Sequence, residues 1–85
     1  MIQFKWDELK NEWLKVNRGI SFEEIIESKF LDITDGVREN QQIILFEYER
    51  YVWATPCIVN ENEVILKTIY PSRKYTKIYR KGFLP

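Results

Sequence analysis

The 85-residue chain predicts an α+β layer fold: a short N-terminal strand, two helices packed on one face of a three- to four-stranded antiparallel sheet, and a basic C-terminal helix. Three observations lead there. Apolar residues recur at helical spacing behind recognisable N-caps near the start. From Phe30 the pattern becomes extended and the composition shifts to Ile, Val, Tyr, Phe and Trp. After Pro71 a helical period returns, with basic residues along one side.

Ile2, Phe4 and Trp6 alternate with Gln3 and Lys5, the pattern of a short half-buried strand. Asp7 has the chemistry of an N-cap, and Glu8 complements the first turn behind it. Leu9, Trp13 and Val16 then recur at helical spacing with Leu14 beside them, the stripe such a helix presents to a core. Gly19 stands where a left-handed C-terminal residue ends the helix. Ser21-Phe22-Glu23-Glu24 is a capping box, with Ile20 and Ile25 at the positions of a hydrophobic staple. It starts a second helix running to about Lys29, with Phe22, Ile25 and Ile26 inward. Capping and solvation account for Glu23, Glu24 and Glu27 better than catalysis does.

Residues 30–33 form a candidate short strand, and Asp35-Gly36 a turn opening a loop through Asn40. Residues 42–48 and 51–59 read as strands joined by the two-residue turn Glu49-Arg50, although that turn prefers Asn-Gly. Pro56 implies a bulge or an exposed edge within the second of them. Residues 60–63 make a polar hairpin loop, and 64–70 the last strand, with Lys67 projecting from its C-terminal half.

Composition narrows the chemistry. One domain spanning 1–85 is expected, without a linker or internal repeat. Cys57 is the sole cysteine, which excludes an intrachain disulfide and a cysteine-rich metal site. Histidine is absent, so there is no Ser-His or Cys-His nucleophile pair and no imidazole metal ligand. No metal or cofactor is expected. The N-terminus carries no apolar signal segment and no run is long enough to span a bilayer, so the expectation is a cytoplasmic protein without membrane contact.

The charges are strongly segregated. Thirteen basic residues balance thirteen acidic ones, but Lys67, Arg73, Lys74, Lys77, Arg80 and Lys81 fall in a stretch with no acid. About −6 therefore lies on residues 1–66 and about +6 on the tail, a distribution suited to a polyanion or an acidic partner. With Ser72 as cap, Lys77, Arg80 and Lys81 fall within about 80° of Arg73, and Lys74 at about 100°, while Tyr75, Ile78 and Tyr79 take the opposite side.

The opening Phe4, Trp6, Asp7, Lys10 with Asn11, the element Arg18 to Glu24 (RGISFEE) and the closing Ser72 to Tyr79 (SRKYTKIY) resemble the BrnT-like toxins of type II toxin-antitoxin systems, in the RelE superfamily. The likeness enters from both ends of the chain, and the middle matches in strand pattern alone. It implies a RelE-like fold and a metal-independent endoribonuclease that cleaves mRNA, on the ribosome in some cases, and inhibits translation. It further implies neutralisation by a cognate antitoxin, often with a ribbon-helix-helix domain, in a homodimer or a toxin-antitoxin heterotetramer. By position, the closing motif carries the family's basic residues onto Arg73 and Lys74, with Thr76 and Lys77 following. Family members commonly have histidine where this chain has Arg18, and arginine keeps the charge but does not serve as a base.

Cleavage by 2′-hydroxyl attack needs a proton acceptor, stabilisation of the charged phosphate and a proton for the leaving oxygen. Arg73 suits the phosphate, and the acceptor falls to Lys74 or Lys77, a role lysine fills where clustered positive charge favours its neutral form. Lys67, Tyr70, Arg80, Lys81 and Arg18 are the expected further RNA contacts, with Tyr70, Tyr75 or Tyr79 able to stack on a base or donate a proton. Two other readings stay open on the same residues. One is an RNA binder that cuts nothing; the other is a protein-interaction module whose basic face receives an acidic chain.

Overall fold

Asp7 sets the first corner of the molecule. In the computed structural model, which describes residues 2–83 and their side chains as far as residue 80, strand β1 (Gln3–Lys5) leads into helix α1 (Glu8–Arg18). The Asp7 carboxylate accepts from the Leu9 amide at 3.1 Å, and Gly19 closes the helix in the left-handed region at φ 69°. Helix α2 (Phe22–Ile26) opens with both halves of the expected capping box: the Glu24 amide donates to Ser21 Oγ and the Ser21 amide to Glu24 Oε1, each at 3.0 Å. It ends earlier than Lys29. The Ser28 hydroxyl donates to the Ile25 carbonyl at 2.6 Å and turns the chain, so Lys29 already begins a strand.

That strand is β2 (Lys29–Asp35), followed by β3 (Gln41–Tyr48), β4 (Tyr51–Val59), β5 (Glu63–Leu66) and the two-residue β6 (Tyr70–Pro71). The sheet order is β1-β5-β4-β3-β2, with β6 also on β4. It is larger than expected and mixed, because β1 joins parallel to β5 with Phe4 opposite Val64. Glu49 and Arg50 make the two-residue turn between β3 and β4 by adopting φ values of 50° and 64°.

Pro56 does not break its own strand. It pairs with Ile43, and its carbonyl accepts from the Lys67 amide at 2.9 Å. Within a strand a residue's N–H and C=O point the same way, so proline's missing donor faces that same neighbour. There the expected single strand over 64–70 divides into β5 and β6, with pairing resuming at Ala54 and Tyr70.

Alternation along the sheet makes two apolar faces. Ile44 and Phe46 of β3, with Cys57, Val64 and Leu66, pack under Leu14, Ile20, Phe22 and Ile25 of the N-terminal helices. Leu45, Val52 and Ala54 point the other way, where helix α3 (Arg73–Phe83) lays Tyr75 and Tyr79 on them. The Tyr75 amide donates to Ser72 Oγ at 3.1 Å, and Thr76 Oγ1 accepts from the Val52 amide at 2.9 Å, which pins α3 to β4.

Two helical faces differ from expectation. In α1 the buried positions are Asn11 and Leu14, while Leu9, Trp13 and Val16 are exposed. In α3 it is Thr76, not Ile78, that turns inward with the tyrosines, because Thr76 satisfies a backbone amide of β4. No helix among the described residues is long and apolar enough to cross a membrane.

Candidate nucleic-acid interface

Charge is unequal on the two faces of the sheet: α1, α2 and their caps carry six carboxylates against Lys10, Lys15 and Arg18, and α3 carries cations alone. Glu8, Glu12, Glu23, Glu24 and Glu27 lie exposed on α1 and α2 or at their ends; Arg73, Lys74, Lys77 and Arg80 lie exposed on α3, across the sheet. None of these four cations forms an ion pair with a described carboxylate. Lys74 holds its ammonium 5.3 Å from the Tyr75 ring.

Beside α3 runs a groove of about 570 Å³, walled by Arg80 and Tyr79 on the helix and by Lys29, Glu47, Arg50 and Tyr51 on the sheet. Its floor is Leu31, Val52 and Thr76. Register builds it: Lys29 stands directly opposite Glu47 across β2 and β3, with their charged atoms 4.0 Å apart. Arg50 comes from the left-handed turn, and an Arg80 guanidinium nitrogen lies 3.4 Å from the Arg50 carbonyl as its donor. The groove therefore gathers three cations, two phenol rings and one carboxylate. Burial, then the charge of Asp32, raises the Tyr79 hydroxyl pKa, so this phenol keeps its proton further into alkaline solution.

Such a set matches the needs of a single-stranded polyanion. Arginines fork onto phosphate oxygens, phenol rings offer a stacking surface for a base, and Glu47 supplies an acceptor for a hydroxyl proton. Cys57 offers no competing chemistry, since burial raises its thiol pKa and keeps it protonated among apolar side chains. Among the described residues no cluster of three His, Cys, Asp or Glu side chains is placed to hold a metal ion.

Of the expected site residues, the groove takes in Arg80 and Tyr79. Arg73, Lys74 and Lys77 are on the solvent side of α3 and do not line it. Tyr70 is exposed on β6, opposite Ala54 and so on the α3 side of the sheet. Lys67 is exposed at the break between β5 and β6. The Lys81 side chain lies outside the described residues. Arg18 is elsewhere: on α1, it donates to the Ile69 carbonyl at 2.5 Å and lies 3.4 Å from Thr68 Oγ1, tying the helix to the β5–β6 link. Lys29, Glu47, Arg50 and Tyr51 are the additions, expected at the end of the second helix, within a strand, in the turn and at the start of a strand respectively.

The N-terminal motifs prove to be joints. Asn11, fully buried, accepts from the Phe22 amide and donates to Glu23 Oε1, both at 2.7 Å. Trp6 stacks on Phe22 with ring centroids 5.6 Å apart. The opening motif and RGISFEE thus grip each other at the α1–α2 corner, while Ser72 and Thr76 of the closing motif seat α3. The chain matches no family model, no curated protein and no solved structure.

Proposed function

We propose that the chain binds single-stranded RNA along α3 and the groove beside it, and cleaves it as a metal-independent endoribonuclease of the BrnT-like toxin kind. What carries the reading is the convergence of Arg50 and Arg80, from separate elements, with Tyr51 and Tyr79 around the lone carboxylate Glu47. Arg50 and Arg80 hold the scissile phosphate and offset the charge it gains, Glu47 receives the 2′-hydroxyl proton, and Tyr79, protonated, faces the leaving oxygen. Arg73, Lys74 and Lys77 extend the phosphate track outward along the helix, with Lys67 and Tyr70 as further contacts. In this reading translation stops through mRNA cleavage, and a cognate antitoxin neutralises the toxin by covering the cationic face.

Three variants test it, assayed for growth arrest on induced expression, for RNA binding against salt, and for cleavage. Glu47→Gln should bind RNA and lose at least about a hundredfold in cleavage. Arg50→Ala with Arg80→Ala should lose both, its salt slope shallower by about 1.4 for two phosphate contacts on a single strand. Arg73→Ala with Lys77→Ala should lose affinity by a similar slope and, with it, toxicity. Folded variants that arrest growth like the wild type would sink the proposal. RNA bound with a steep salt dependence but left intact by the wild type selects the non-catalytic binder.

A further inference from the structure

Helix α1 turns three of its apolar residues away from the protein. Leu9, Trp13 and Val16, at i, i+4 and i+7, are 81%, 43% and 82% exposed, while Asn11 and Leu14 occupy the buried side. Trp13 is held in place by cations over its ring, the Lys10 ammonium 4.3 Å and the Arg18 guanidinium 5.1 Å from the ring centroid. An apolar row at this spacing on a surface helix is how one helix anchors in another protein surface.

We propose that the surface covering it is a second copy of this chain, the two α1 helices packing antiparallel about a two-fold axis between Glu12 and Trp13. The spacing is self-complementary, because Leu9 and Val16 are equally far from that midpoint. The two-fold operation therefore seats Leu9 on Val16 of the second copy, and the reverse, with both tryptophans near the axis. Charge selects the same direction. α1 carries Glu8 in its first turn and Lys15 and Arg18 in its last, so an antiparallel pair sets Glu8 beside Lys15 of the second copy and opposes the helix dipoles. A parallel pair would bring like ends together. Glu12 meets its own counterpart near the axis, and its ion pair with Lys15 at 3.2 Å offsets that repulsion.

Three anchoring side chains cover less than the roughly 800 Å² per partner of a standard interface, so the dimer is weak and concentration-dependent, with a dissociation constant of about 10–100 µM. Because α3 lies across the sheet from α1, each copy keeps its cationic face in solvent.

The experiment is sedimentation velocity on the full chain from about 5 to 300 µM in low salt, a range that spans that expected constant. The wild type should pass from monomer to dimer. Leu9→Glu with Val16→Glu, both at exposed positions and both to a good helix former, should stay monomeric with an unchanged circular dichroism spectrum. Glu8→Lys should weaken association about tenfold, and adding Lys15→Glu should restore it. A wild type monomeric throughout, a double-glutamate variant that associates like the wild type, or a charge swap without recovery would each overturn the proposal. No RNA enters the measurement, so its failure is separable from failure of the nuclease reading.

Discussion

Replacing Asn11 with alanine isolates the joint between the two N-terminal helices. The side chain is fully buried and makes two short bonds, accepting from the Phe22 amide and donating to the Glu23 carboxylate, each at 2.7 Å. The first leaves a donor at the start of α2 without its partner, at a cost of about 1–2 kcal/mol. The second is charge-assisted but ends on an exposed residue, so roughly 1 kcal/mol is the fair addition. A total of about 2–3 kcal/mol is a large share of the roughly 5–15 kcal/mol that holds a small domain together, and lowers the melting temperature by about 10–20 °C. The bond to Asn11 is also the main cause lowering the Glu23 pKa from its ordinary 4.5. A carboxylate with a depressed folded-state pKa contributes stability above its unfolded value and loses it as the pH falls through the folded one. The gap between wild type and Asn11→Ala should therefore be widest near neutral pH and narrow as the pH falls below 4.5. Urea titrations followed by tryptophan fluorescence at neutral and acid pH measure both. A variant within about 0.5 kcal/mol of wild type, or a gap that does not change with pH, would refute the reasoning.

Two further substitutions test the other joints. Thr76→Val keeps the volume but strips the acceptor from the buried Val52 amide, 2.9 Å away. It should cost about 1–3 kcal/mol in urea unfolding and raise amide exchange in α3 more than in α1. Arg18→Ala removes the bond to the Ile69 carbonyl and should cost about 1–2 kcal/mol, while RNA affinity in filter binding stays at the wild-type level. A loss of affinity matching that of the Arg50 and Arg80 variant would return Arg18 to the RNA-binding set.

What was legible in the sequence was what is local. Asp7, Gly19 and the Ser21 to Glu24 box act over three residues or fewer, and each performs as its chemistry requires. The two-residue turn at Glu49-Arg50 was also readable from its length, whereas Pro56 was expected to bulge or expose its own strand, and the interruption fell instead on the neighbour that its missing donor faces. Helical phase was not readable. The spacing of Leu9, Trp13 and Val16 gives a stripe but not the direction it faces, and that was decided by Asn11, whose partners lie in α2. Register was equally hidden: the parallel contact of Phe4 with Val64 joins residues far apart in sequence, and no local pattern announces it. The groove depends on both. Glu47 and Lys29 look like isolated surface charges until β2 and β3 are aligned, and Arg80 separates from Arg73 and Lys77 once Thr76 fixes the rotation of α3.

The division of charge across the sheet bears on how the proposed RNA contact would operate. The N-terminal helices and their caps carry six acidic residues against Lys10, Lys15 and Arg18, while α3 carries basic residues alone, so a polyanion meets a net negative first layer and is drawn to the second. With a net charge of zero for the whole chain, long-range attraction is weak and orientation does the work at close range. Screening at physiological salt shortens the field to about 8 Å, well below the two layer spacings of about 10 Å each that separate α3 from the N-terminal helices, so at an α3 phosphate site the opposing acids are largely screened while Arg73, Lys77 and Arg80 are not. Salt therefore acts on both terms in opposite senses, weakening the direct contacts and relieving the background repulsion. The net slope of affinity against salt should fall below the value set by counting α3 cations alone. A slope equal to the full cation count would mean that the acidic layer is electrically silent at the RNA face, and that the segregation seen across the sheet serves the partner of α1 rather than the nucleic acid.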